Sequence, residues 1–212
     1  MPKKRPGKYL PHRDRFTEKR YLPYVIAIGQ AALAWNALHE RLALLFCNVM
    51  GGGWVDRPFG VWFSAQYDRP RRAMLRAAVD TTTAKDQHQF PKLLNDVKWI
   101  LNEADKLEDI RNNVIHAPLF SIRDSVEAKA MNLPLVWADT LFGNPRAKNI
   151  EDRVLLLEFR WLRDMALCLR DFTSLVEEAA TDPKRPWPGR PSPPIRPQKR
   201  TPQTPQHRGL KK

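Results

Sequence analysis

The chain is poor in residues that staple, ligate or hinge. Only two of its 212 residues are cysteine. Cys47 and Cys168 stand far apart, with no CxxC and no Cys/His pair at ligand spacing, which argues against a disulfide framework or a zinc site. Glycine occurs nine times, and its one cluster, Gly51-Gly52-Gly53, lacks the Lys-Ser/Thr of a phosphate loop. No Ser-His-Asp spacing of a hydrolase is present. The apolar run from Leu22 to Leu38 is broken by Gly29, Gln30 and Asn36 and continues into His39, Glu40 and Arg41, too interrupted to span a bilayer. The N-terminus MPKKRPGKYLPHRDR is charged but has no apolar stretch after it, so it does not read as a secretory signal. The expectation is a cytoplasmic protein with reduced thiols, no membrane contact, no metal and no cofactor.

What is abundant is positive charge, and its location matters more than its total of +13. Residues 1–20 carry +6 and residues 181–212 carry +8, leaving the 160 residues between them at −1. A nearly neutral middle flanked by basic ends divides the chain into a basic, disordered arm at 1–20, a folded domain at 21–181 and a Pro/Arg/Lys-rich tail at 182–212. The tail holds nine of the 19 prolines and almost no apolar residue, a composition that cannot build a core and reads as disordered.

The middle reads as helices. From Pro23 to the glycine cluster, Ile28, Trp35, Leu42 and Val49 recur every seven residues with Ala31, Leu38 and Leu45 between them, one apolar stripe. A connector over 51–68 is rich in glycine and aromatics, and a shorter helix from about Asp68 to Asp80 follows. A third long helix opens near Phe90 and carries Leu94, Val97, Leu101, Ala104, Leu107, Ile110 and Val114. Pro118 ends it around His116, since a proline excludes its predecessor from the helical region. Asn149 is placed to cap the last helix, which bears two stripes. Val154, Leu157, Trp161, Met165, Cys168, Phe172 and Leu175 form one, and Leu155, Leu162, Leu169 and Val176 the other. So wide a face fits either a helix central to its own bundle or one shared with a second subunit. The fold class expected is all-α, an up-down antiparallel bundle of about four main helices, with a small irregular or β-hairpin insertion ("LFSI", "PLVWA") before the last.

The chemistry-bearing stretch is Arg111-Asn112-Asn113-Val114-Ile115-His116 at the end of the third long helix. Asn112 and His116 are four apart and share a helix face, whereas Arg111 and His116 are five apart and diverge by about 140°. Histidine titrates near neutrality and can move protons; arginine stays charged and grips phosphate oxygens through a rigid fork. A plainer alternative is that Arg111 and His116 only complement the carbonyl end of the helix dipole.

This R-N-x-x-x-H motif within a helical pattern over residues 22–180 resembles the HEPN superfamily, small all-α bundles whose active members are metal-independent ribonucleases. The resemblance implies catalytic roles for Arg111, Asn112 and His116, RNA as substrate, a homodimer with facing motifs, a toxin or defence role, and a protein inhibitor or antitoxin as a further partner. It would leave a 2′,3′-cyclic phosphate and a 5′-hydroxyl, with DNA resistant because it lacks the nucleophile.

Two further groups are candidates. His39 and Glu40, in mid-helix, either face the motif helix and tune its histidine or form a solvated polar face. Arg57, Arg69, Arg71 and Arg72, interleaved with Trp62, Phe63 and Tyr67, either grip single-stranded RNA by charge and stacking or dock a connector onto its own core. The competing function class is a non-catalytic helical bundle that binds RNA or protein through its basic tails, with salt-sensitive affinity.

Overall fold

The structure, a computed structural model, describes residues 22–51, 56–85, 92–116, 146, 149–150, 153–182 and 184–199; for residues 82–85 and His116 it describes the backbone alone. Five long elements are helical: α1 (Leu22–Val49), α2 (Asp56–Ser64), α3 (Asp68–Lys85), α4 (Leu93–His116) and α5 (Leu155–Thr181). Among the described residues there is no strand. The all-α class is therefore observed, while the expected insertion at LFSI and PLVWA lies outside the described residues, as do the N-terminal arm and residues 200–212.

Helix α1 follows its stripe. Trp35, Leu38, Leu42 and Leu45 are buried, with Ile28 and Val49 packed at the margin. Its end is set by Gly51, whose φ of 100° is the left-handed conformation in which glycine avoids the Cβ penalty. The chain then makes α2, which the glycine and aromatic content of the connector had masked. Pro58 sits in its first turn, where the missing N–H is harmless, and Trp62 is fully buried with its ring 5.5 Å from Phe46. Helix α3 runs five residues beyond the expected Asp80.

Cross-helix pairs give the directions. Asp80–Lys98, Arg76–Asn102, Arg72–Asp105 and Arg69–Asp109 run in opposite senses along α3 and α4, so these two are antiparallel. Gln30–Arg163 and Asn48–Glu177 advance together, so α1 and α5 are parallel. Trp35–Asp68 and His39–Arg72 likewise advance together on α1 and α3. Among the four longest helices the simple up-down alternation therefore does not hold between α1 and α3, which are joined through α2.

The last helix starts later than Asn149 would have set it. Its N-cap is Val154, with no side-chain cap bond, and Asn149 lies in a preceding turn. Of its two stripes, Leu155, Leu162, Leu169 and Val176 form the core face, whereas Leu157 and Leu175 of the other are about half exposed. Within the chain, α1 packs along the core face, and Phe172 forms a T-shaped pair with Trp99 from α4.

The remaining cover comes from an unexpected element. Residues 184–199, assigned by composition to a disordered tail, lie extended along α4 and α5. Asp182 reverses the chain: its carboxylate accepts from Lys184 N at 2.9 Å and its carbonyl from Arg185 N at 3.0 Å. Trp187 then packs against the core. The composition argument fails here because a segment unable to bury a core of its own can still dock side chain by side chain on one already formed.

Burial ranks the core positions, and a cavity in α1 should be felt. Leu38 is fully buried whereas Leu33 is 71% exposed. Leu38→Ala is expected to destabilise by about 3 kcal/mol, and Leu33→Ala on the same helix by less than about 0.5 kcal/mol, measured by urea unfolding.

Candidate functional site

The motif arginine does not stand alone at the end of α4. Its guanidinium lies over the Trp35 ring of α1, 5.4 Å from the centroid, and donates to the Asn112 Oδ1 at 3.2 Å. Trp35 in turn packs on His39, with ring centroids 4.8 Å apart, and donates its Nε1–H to Asp68 of α3 at 2.8 Å. One indole therefore joins three helices, with its face toward the cations and its polar edge toward an acid, as the ring quadrupole favours.

Arg72 forms the base of this cluster. It is 1% exposed, with Nε on Asp105 at 2.7 Å and Nη2 on Glu108 at 2.5 Å. Its Nη1 approaches His39 Nε2 at 3.5 Å. A guanidinium can only donate, so Nε2 is the acceptor nitrogen and the proton of the neutral ring sits on Nδ1. That nitrogen is buried without a hydrogen-bond partner among the described residues; the Asp68 carboxylate stands at 3.7 Å, beyond hydrogen-bonding distance.

His39 is held neutral. Burial is the main cause, and although Asp68 opposes it, Arg72, Arg71 and Arg111 reinforce it, so the pKa falls from 6.5 to about 4. The reading of His39 as part of a solvated face is thus corrected. It is 6% exposed and packed between Trp35 and Arg72, whereas Glu40, the next residue, is exposed. Asn36 and Glu40 kept the local pattern polar, which concealed that the intervening turn faces inward.

The four arginines proposed for RNA binding separate. Arg72 is interior and doubly ion-paired, out of reach of a phosphate. Arg71 donates to the Ala65 carbonyl at 3.1 Å, meets Asp68 at 3.4 Å and covers the Phe63 ring at 5.4 Å, so it closes the α2–α3 corner. Arg69 is exposed but meets Asp109 and Glu108 at 3.2 and 3.6 Å. Arg57 is exposed on α2. Of the interleaved aromatics, Trp62 is core, and only Phe63 and Tyr67 are open to solvent.

Arg111 differs from its neighbours in having no carboxylate within ion-pair distance among the described residues, and its Nε is buried without a partner. Asn112 is half-buried beside it. His116 is the final helical residue, and its side chain lies outside the described residues. The structure therefore joins Arg111 to Asn112 directly and to His39 through the Trp35 ring.

Other chemistries have less to stand on. Burial pushes both thiols above their ordinary range, Asp171 adding to it at Cys168 and Glu177 at Cys47, so neither is a ready thiolate. Among the described residues no three His, Cys, Asp or Glu converge to hold a metal ion, and no helix is long and apolar enough to cross a membrane. A cleft of about 640 Å³ lies elsewhere, between the first turns of α1 and α5, lined by Leu22, Ile26, Gln30, Leu156, Arg160 and Arg163. No family model, curated protein or solved structure matches the chain.

The His39 environment has a signed consequence. The unfolded chain takes up this proton near pH 6.5 and the folded chain only near pH 4. Acidification across that window therefore favours unfolding, by about 3 kcal/mol once pH 4 is reached. His39→Gln, which can accept from Arg72 but does not titrate, is expected to flatten this part of the stability profile in denaturant melts from pH 7 to 4.

Proposed function

We propose that this chain is a metal-independent endoribonuclease, with Arg111 binding the scissile phosphate, His116 moving the protons and Asn112 orienting the imidazole. The observation that supports the reading is the state of Arg111. In a cluster where Arg69, Arg71 and Arg72 are all neutralised by carboxylates, the partners of Arg111 among the described residues are an aromatic face and an amide oxygen. An arginine so held keeps its fork available to an anion.

The reaction needs no outside nucleophile. The 2′-hydroxyl loses its proton to a base and its oxygen attacks phosphorus. The bond to the 5′-oxygen then breaks, and that oxygen takes up a proton from an acid. The products are a 2′,3′-cyclic phosphate and a 5′-hydroxyl. Charge gathers on the phosphate oxygens in the transition state, where a guanidinium stabilises most. His39, neutral near pH 7, adds no competing positive charge and packs on the Trp35 ring that Arg111 covers.

The resemblance to HEPN proteins adds a second copy that completes the site, together with a toxin or defence role held in check by a protein inhibitor. The competing reading, a non-catalytic module binding RNA through its basic tails, is weakened for part of the C-terminal charge. Arg185, Arg190 and Arg196 already face Glu178, Asp96 and Glu158 within the chain.

Cleavage of an unstructured RNA in excess EDTA is expected for the unaltered protein, falling by about 100-fold or more in Arg111→Ala or His116→Ala. Arg111→Lys should recover little, because a point charge does not replace the fork. Full activity in His116→Ala would sink the assignment, as would RNA binding without turnover by the unaltered protein. Mixing the two inactive variants should restore cleavage if the site is shared between copies.

A further inference from the structure

The segment 184–199 is bound as a ligand is bound. It forms no ladder with the helices; its backbone contributes the Pro194 carbonyl, which accepts from Trp161 Nε1 at 2.9 Å, and the Pro197 carbonyl, which accepts from Arg153 at 2.9 Å. Its side chains do the rest. Arg196 reaches the Glu158 carboxylate with Nε and Nη2 at 3.0 and 2.8 Å and lies over the Trp161 ring. Trp187 Nε1 and Arg190 Nε converge on Asp96 at 2.7 and 2.5 Å, and Arg190 lies over Trp99. Two units thus repeat, each a helix-borne tryptophan beside a buried carboxylate, and each receives one arginine, at positions 190 and 196.

The acids are what make this a site. Glu158 is fully buried and Asp96 is 6% exposed, yet the side-chain donors seen on Asp96 both come from the segment, and Glu158 is shared between Arg153 and Arg196. Burying such a carboxylate is expensive unless a cation meets it, and among the described residues Asp96 receives its cation from the segment alone while Glu158 receives one of its two. The spacing is matched as well. From Glu178, which meets Arg185, back to Glu158 is about 30 Å along α5 at the helical rise. An extended proline-rich chain covers about 34 Å between Arg185 and Arg196. Prolines at 186, 188, 191, 193, 194 and 197 hold the segment open and reduce the freedom lost on docking.

We propose that the α4–α5 face is a recognition groove for extended, proline-rich peptides bearing two arginines six residues apart, and that residues 184–199 fill it in cis. Specificity comes from the two carboxylates and the two indoles, and the same sequence supplied in trans competes for the same seat. The groove is independent of the Arg111 cluster, so it stands or falls separately from the ribonuclease reading.

The test uses the full chain. In Arg190→Ala/Arg196→Ala the resident segment loses its anchors, and a fluorescent peptide of residues 184–199 should bind this variant at least 10-fold more tightly than it binds the unaltered protein, by anisotropy titration. Arg196→Ala alone should give an intermediate gain. Adding Asp96→Asn and Glu158→Gln to the double variant should remove the binding, as should alanine at both arginines of the peptide. Equal affinity for unaltered and variant protein, or affinity indifferent to the two acids, overturns the proposal. A double variant that loses its helical circular dichroism also overturns it, by making the segment an integral part of the core.

Discussion

The arrangement of the polar interior depends on the buried guanidinium of Arg72. Helix α3 delivers it between α1 and α4, where its fork satisfies Asp105 and Glu108 at once and still reaches His39. Such a charge is tolerable in the interior because two carboxylates meet it there, and removing Glu108 would leave Nη2 buried without its partner. The clamp sets the depth of α3 against α4 and hence the position of Asp68, which holds the indole edge of Trp35. Trp35 then presents its face to His39 and Arg111. The candidate site is built on that indole, and its geometry follows from an ion pair several ångströms below it.

A similar principle operates on the opposite side of α4. Asp96 and Glu158 are acids on otherwise apolar faces, and both meet arginines from the proline-rich segment. Net charge counted along the chain suggested two basic ends available to an external polyanion. In the folded chain three of the C-terminal arginines face carboxylates of α4 and α5. Charge per segment is therefore a poor guide to charge presented, because ion pairing happens between segments that composition treats separately.

Legibility in the sequence followed the range of the interactions involved. Helices α1 and α4 were readable because Leu38, Leu42, Val97 and Leu101 repeat at helical spacing, and burial enforces that spacing residue by residue. Helix α2 was hidden since Pro58 and Gly60 look like loop residues, and only the seating of Trp62 against Phe46 makes a helix favourable there. For the site, the motif itself was visible as Arg111, Asn112 and His116. His39 was visible only as a polar residue in a mixed stretch, because its neighbour Glu40 is exposed and nothing local distinguishes the two. The signal that could have separated them is the turn: His39 continues the buried row of Trp35, Leu38 and Leu42, while Glu40 leaves it.

By itself the sequence determined the helical class, the apolar stripes of α1 and α4, the end of α1 at its glycines and the placing of an arginine–histidine motif at the end of α4. Each of these rests on local backbone preference or on the 3.6-residue period, which a chain carries in its order of residues. Tertiary structure alone decided that α1 and α5 run parallel, that Arg72 is a buried clamp on two carboxylates while Arg111 meets no carboxylate among the described residues, that His39 is neutral, and that a proline-rich tail lies docked along α4 and α5. Those outcomes depend on which side chains meet across tens of residues, where desolvation and pairing set the energy of each charge.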